Sequence, residues 1–306
     1  MLDSLCALRD YVGVLDMGAP VEEGGVRFYP LFVRDLRAER ADPPVCLLEE
    51  VEGLRVEETS NVGQLWVVNE SDTRVLLLEG DIVEGGRQNR VINATCVVEP
   101  GTRTPLPTSC VEQGRWGQSK GHFSGSGHSV SPKVRSALKR SVTETLTSTG
   151  GASFASDQSA VWASTTVSLN THGSSNATSD HMQVYRDKQA ELKTQAARVE
   201  SQLQDPRLIG LAVTHADGSA VVEAFGSPRI AAKVLERIVC SHLLNPPGDA
   251  GHAEAGGLLP AIAQAPGESS PASTGSGEQV RLSESRLAAS ACVYGGATLH
   301  LSADWE

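Results

Sequence analysis

No apolar run in this 306-residue chain approaches the ~20 residues that span a bilayer, and its start, MLDSLCALRD, lacks the basic residues and long apolar stretch of a secretory signal. The compartment this predicts is the cytoplasm. Positive charge is also short. The 26 Lys and Arg against 37 Asp and Glu leave a formal net charge of −11, which opposes attachment to nucleic acid or to an anionic membrane. Several motifs are missing as well. The six cysteines form no CxxC pair and read as reduced thiols, and the eight histidines form neither HxH nor HExxH, so no metal centre is expected and no cofactor is assigned. There is no GxxxxGK[ST] phosphate loop and no GxSxG nucleophile elbow.

What the chain does hold is a series of short strands broken by turns. Gly25 to Val33, Leu54 to Glu58, Gln64 to Val68, Arg74 to Glu79, Gln88 to Val98 and Thr108 to Gln113 carry the apolar and alternating patterns of core strands. Asn69-Glu70-Ser71-Asp72 predicts a hairpin between the third and fourth of these. The Gly/Ser segment from Gly117 to Val130 reads as a flexible connector. Helices follow: Val134, Leu138, Val142 and Leu146 share one face, Asp157 to Leu169 forms a second helix, and Met182, Tyr185, Gln189, Leu192, Ala196, Val199 and Leu203 mark a third. The hairpin around Asp217-Gly218 leads into a helix at Ser227-Pro228, and residues 245–280, rich in Pro, Gly, Ala and Ser, read as disordered or a loose insertion.

The fold class this predicts is α+β: an antiparallel β-sandwich or barrel-like sheet with a helical insertion and a C-terminal hairpin that returns to the sheet. A single domain is expected over 1–306. Its core strands fall at about 25–116, the helical and hairpin region at about 131–244, and the final hairpin at 284–302.

Unusual polar chemistry concentrates between Glu79 and Trp116. One cluster holds Glu79, Asp81, Glu84, Arg87, Gln88, Asn89 and Arg90; the other holds Glu112, Gln113, Arg115 and Trp116, with Cys110 beside it. Antiparallel neighbours would bring the two together. Arginine forks bind phosphate or carboxylate, carboxylates serve as acid and base, and a tryptophan offers a stacking face. The same charges could equally form an ion-pair network that pins strand ends.

The block GDIVEGGRQNRVINATCVVEPGTRTPLPTSCVEQGRW resembles a bacterial family, the ARG and rhodanese-phosphatase-superfamily-associated protein domain, ARG meaning ADP-ribosylglycohydrolase. The likeness rests on the strand ending in Glu79-Gly80, on Gly86, Gln88, Asn89 and Arg90, and on Cys110 through Trp116. It implies a place in NAD or ADP-ribose metabolism without supplying a reaction.

Two functional expectations follow. In the first, the domain binds, and can hydrolyse, a nucleotide-like phosphate metabolite, with Glu112 as base, Glu79 orienting it, and Arg87, Gln88, Asn89, Arg90, Gln113, Arg115 and Trp116 as ligand contacts. In the second, the charged cluster is structural, and the 182–203 helix docks a protein partner in a noncatalytic interaction module.

Overall fold

The computed structural model describes residues 4–34, 44–115, 121–245 and 248–306. The fold is α+β, with antiparallel sheets, one of them curled into a half-barrel, and a C-terminal hairpin built into the largest sheet. Where the sequence leads one to expect a single domain, the chain divides into two compact units. The first draws on 1–43, 190–270 and 277–306, the second on 44–189 and 271–276.

The first unit is a nine-stranded sheet among the described residues. Its centre is the hairpin Leu208–His215 with Ala220–Phe225, flanked by Val26–Val33 on one side and by Ala297–Trp305 on the other. Leu287–Tyr294 then pairs with Ala297–Trp305, so the last hairpin joins the sheet as expected. One face of the sheet carries Ala212, Val222, Ala224, Val280, Ala291 and Leu301. It packs in one core with α1 (Ser4–Gly13) and with Leu258 and Ile262.

Those last two residues correct the reading of 245–280 as loose. Described residues there form a short helix, Leu258–Gln264, and two strands, Gly267–Pro271 and Glu278–Ser283. The Pro/Gly/Ser composition of the whole stretch hides a local apolar run whose burial outweighs it. Residues 246–247 lie outside the described residues.

The second unit holds the curled sheet, ordered Ser124–Ser129, Asp81–Glu84, Arg90–Ile92, Thr102–Cys110, Gln64–Asn69 and Leu54–Glu58. An isolated bridge from Val56 to Phe123 ties one edge back toward the other, so the sheet wraps around Leu65, Val67, Val83, Ile92, Leu106 and Phe123. A three-stranded sheet of Cys96–Val98, Arg74–Leu77 and Val45–Leu47 adds Val75, Leu77, Cys96 and Val98 to the same core.

Three sequence expectations change here. Gln64–Asn69 and Arg74–Leu77 form no hairpin with each other, because the buried Asn69 amide donates to the carbonyls of Thr73, Val98 and Glu99 and turns the chain out of one sheet into the next. The long strand Gln88 to Val98 is two strands in two sheets. It breaks where Asn93 donates to the Phe154 carbonyl and the Thr95 hydroxyl takes the Glu79 N–H. The Gly/Ser connector contains a strand, Ser124–Ser129, paired with Asp81–Glu84.

The predicted helices form as α2 (Pro132–Ser148), α3 (Gln158–Thr171) and α4 (Met182–Gln202). Val134, Leu138, Val142 and Leu146 are buried, as are Met182, Tyr185, Leu192, Ala196, Val199 and the adjacent Leu203. Burying each Leu or Val contributes roughly 1.5–3 kcal/mol. Asp157 caps α3 by accepting the N–H groups of Ser159 and Ala160.

Candidate functional site

The turn Glu84 to Asn89 leads the chain back from Asp81–Glu84 to Arg90–Ile92, and it needs glycine twice. Gly85 has φ +146 and Gly86 φ +44, and a Cβ on Gly86 would stand 2.4 Å from both the Glu58 carboxylate and the Phe123 ring. Only glycine fits that space without strain. The register then sets Arg90 directly opposite Cys110, and Ile92 opposite Thr108. Because side chains alternate along a strand, Arg90, Thr108 and Cys110 share the inward face that Ile92 and Leu106 occupy in the core.

Arg115 holds this turn from the other side. Its Nη1 donates to the Gly86 carbonyl at 2.6 Å, its Nη2 to the Gly85 carbonyl at 3.0 Å and to Asn89 Oδ1 at 3.2 Å, and its Nε to the Glu112 carboxylate at 2.9 Å. Glu112 is 2 % exposed and also accepts the Asn89 N–H at 3.0 Å and the Thr178 hydroxyl at 2.9 Å. Burial pushes its carboxyl up, but Arg115, the Asn89 N–H and Thr178 outweigh burial and hold it below the usual range. Asn89 continues the network by donating to Asp180 at 3.1 Å, and Arg186 bridges Asp180 and Glu84 at 2.8 and 2.7 Å. Thr178 and Asp180, unmarked in the sequence reading, are drawn in because the Thr178 carbonyl accepts the N–H groups of Gln113 and Gly114.

Gln88 is the hinge between this network and the inward face. Its amide nitrogen donates to the carbonyls of Glu112 and Gln113, while its oxygen accepts from Arg90 Nη1 at 3.0 Å and from the Cys110 thiol at 3.2 Å. Arg90 Nη1 also lies 2.8 Å from Cys110 Sγ. Arg90 is 2 % exposed, forms no ion pair among the described residues, and its Nε has no hydrogen-bond partner there. The Thr108 hydroxyl is likewise buried without a partner among the described residues. Burial raises the Cys110 thiol; Arg90 opposes the rise, and Glu58 and Glu112 add to it. Cys110 is therefore a neutral thiol at neutral pH that orients Arg90 rather than a ready nucleophile.

The remaining predicted residues divide. Glu79 is buried, with its carboxylate 3.7 Å from Lys139 Nζ of α2, and it makes none of the hydrogen bonds that Glu112 accepts. The two proposed catalytic carboxylates thus have separate partners. Arg87 is exposed, with its backbone N–H on Glu58, and Gln113 is exposed. Trp116 lies outside the described residues. Among those residues no group of three or more His, Cys, Asp or Glu side chains could hold a metal ion.

The family model of the ARG and rhodanese-phosphatase-superfamily-associated protein domain matches residues 14–303. No curated protein and no solved structure matches the chain.

Proposed function

Because the chain belongs to the ARG and rhodanese-phosphatase-superfamily-associated protein domain family, we propose that it binds a nucleotide-like, phosphate-bearing metabolite of NAD and ADP-ribose metabolism at the Arg90 end of the curled sheet. The observation that supports this reading is Arg90 itself. A buried guanidinium with no carboxylate partner is costly, because desolvation is not repaid by an opposite charge. An anionic ligand would supply that charge. The family's named association with ADP-ribosylglycohydrolase supports the ligand class.

Arg90 holds an anionic oxygen, Gln88 and Cys110 fix its guanidinium, and the exposed Arg87 adds positive charge at the turn. Glu112, Arg115 and Asn89 are positioning residues: they shape the turn that carries Arg87 to Arg90. A carboxylate that accepts hydrogen bonds from Arg115, Asn89 and Thr178 is a weak base, so the reading is one of binding and assigns no hydrolytic step. The alternative, a partner docked on the 182–203 helix, gains no support from its apolar face, whose side chains are buried in the fold.

A thermal-stability screen against ADP-ribose, NAD, and sugars with and without phosphate tests the proposal. Ligand at 100 times Kd stabilises the native state by about 2.7 kcal/mol. At least one phosphate-bearing compound should raise the melting temperature of the wild type, and should raise that of Arg90→Gln much less. Shifts equal in both proteins, or none in either, would count against it.

A further inference from the structure

The inward face at Arg90 carries two polar atoms that find no hydrogen-bond partner among the described residues. Arg90 Nε and the Thr108 hydroxyl are both buried, both without a partner among the described residues, and both on the side of the strands that faces the core. Thr108 stands one inward position before Cys110, the direct cross-strand partner of Arg90. At that spacing, diagonal neighbours on a sheet lie within ~7–8 Å, a gap that a group with several oxygens can bridge. The surroundings are apolar: Ile92 opposes Thr108, and Leu106 stands one inward position further along. A buried Thr hydroxyl with no internal partner contributes nothing to the empty fold that valine would not. Its presence beside an uncompensated guanidinium points to recognition.

We infer that these two groups form a seat for a terminal phosphate, so that the ligand class is a phosphomonoester or inorganic phosphate rather than an internal pyrophosphate. This rests on the reading that Arg90 holds the ligand's anion. Arg90 and Thr108 are each 2 % exposed and stand among Ile92 and Leu106, so the seat suits a compact terminal group, whereas a pyrophosphate flanked by two ribosyl groups presents its oxygens mid-chain. The seat uses Arg90 Nε–H and the Thr108 O–H as donors to phosphate oxygens. Gln88 and Cys110 keep Nη1 engaged, which directs the guanidinium edge that bears Nε. Hydrogen bonds to a charged group contribute more than neutral ones, so losing one should be visible in the affinity.

The test compares the full-length wild type with Thr108→Val, a near-isosteric change that replaces the hydroxyl with a methyl. Binding of inorganic phosphate, ribose 5-phosphate, ADP-ribose and acetate is measured by calorimetry, and the melting temperature is measured without ligand. The seat predicts that phosphate and ribose 5-phosphate bind the wild type and bind Thr108→Val roughly tenfold or more weakly. It also predicts that the variant without ligand melts at or above the wild-type temperature. Unchanged phosphate affinity in Thr108→Val overturns the seat, and so does a drop of several degrees in its melting temperature, which would show the hydroxyl to be structural. Acetate binding as tightly as phosphate overturns the preference for phosphate. If ADP-ribose binds through Arg90 while phosphate and ribose 5-phosphate do not, the terminal-phosphate inference fails and the broader reading survives. If none of the phosphate compounds binds, both fail.

Discussion

Replacing Arg115 with alanine should destabilise the protein by about 3–5 kcal/mol, the loss seen when one partner of a buried ion pair is removed. Arg115 is only 10 % exposed at its side chain, and Glu112 only 2 %. Truncation leaves Glu112 buried with the Asn89 N–H and the Thr178 hydroxyl as its remaining donors, and removes the guanidinium from the carbonyls of Gly85 and Gly86. Each ~1 kcal/mol shifts the melting temperature of a chain of this size by about 2–4 °C, so a fall on the order of 10 °C is expected by calorimetry. Arg115→Lys should recover little, because a single ammonium cannot reproduce the fork that spans Gly85, Gly86, Asn89 and Glu112. A fall of less than about 1 kcal/mol would show the turn to be held by other groups, and would reopen Arg115 as a ligand contact.

Between pH 7 and pH 5 the protein should lose about 2 kcal/mol of stability through His181. This side chain is fully buried; its Nε2 accepts the Ser131 N–H at 3.4 Å, and its backbone N–H reaches the Val111 carbonyl. Burial, reinforced by repulsion from His172 and His128, lowers its pKa from 6.5 to about 4. The unfolded chain therefore takes up a proton as pH falls through 6.5, while the native chain stays neutral until about 4. Stability falls across that window and, for this group, levels off below it. At about 1.36 kcal/mol per pH unit the whole window amounts to roughly 3 kcal/mol. The Glu112 contribution is lost only in more acidic solution, because its folded pKa lies below the usual carboxylate value. Urea unfolding of the wild type and His181→Gln at pH 7, 6 and 5 separates the two. Between pH 7 and pH 5 the wild type should lose about 2 kcal/mol more than the variant; parallel curves would contradict the assignment.

How far the sequence carries can be seen residue by residue. The helix faces were legible because apolar residues three and four apart have one physical meaning, and the buried Leu192, Ala196 and Val199 of α4 bear it out. That the strands of Arg90 and Cys110 are antiparallel neighbours was legible, but the register that sets one opposite the other was not, since alternation fixes faces and not register. The breaks at Asn69 and Asn93 were not legible, since an asparagine in a β-rich stretch reads the same whether it caps a strand or reroutes the chain through carbonyls nearly thirty or about sixty residues away. The charged cluster was found, but its division was not. Thr178 and Asp180 complete the hydrogen bonding of Glu112 and Asn89 from 66 and 91 residues downstream, and no local pattern announces such a contact. With those partners in place, Glu112 and Arg115 satisfy each other and the turn, and Arg90 is left as a buried guanidinium without an ion pair among the described residues.

Titration calorimetry of ribose 5-phosphate and ADP-ribose into the wild type and into Arg90→Gln tests that conclusion most directly. The account predicts that at least one phosphate compound binds the wild type and that Arg90→Gln weakens it by roughly 10- to 100-fold, the loss of a buried charge-assisted hydrogen bond. Equal affinity in a folded Arg90→Gln protein would contradict it.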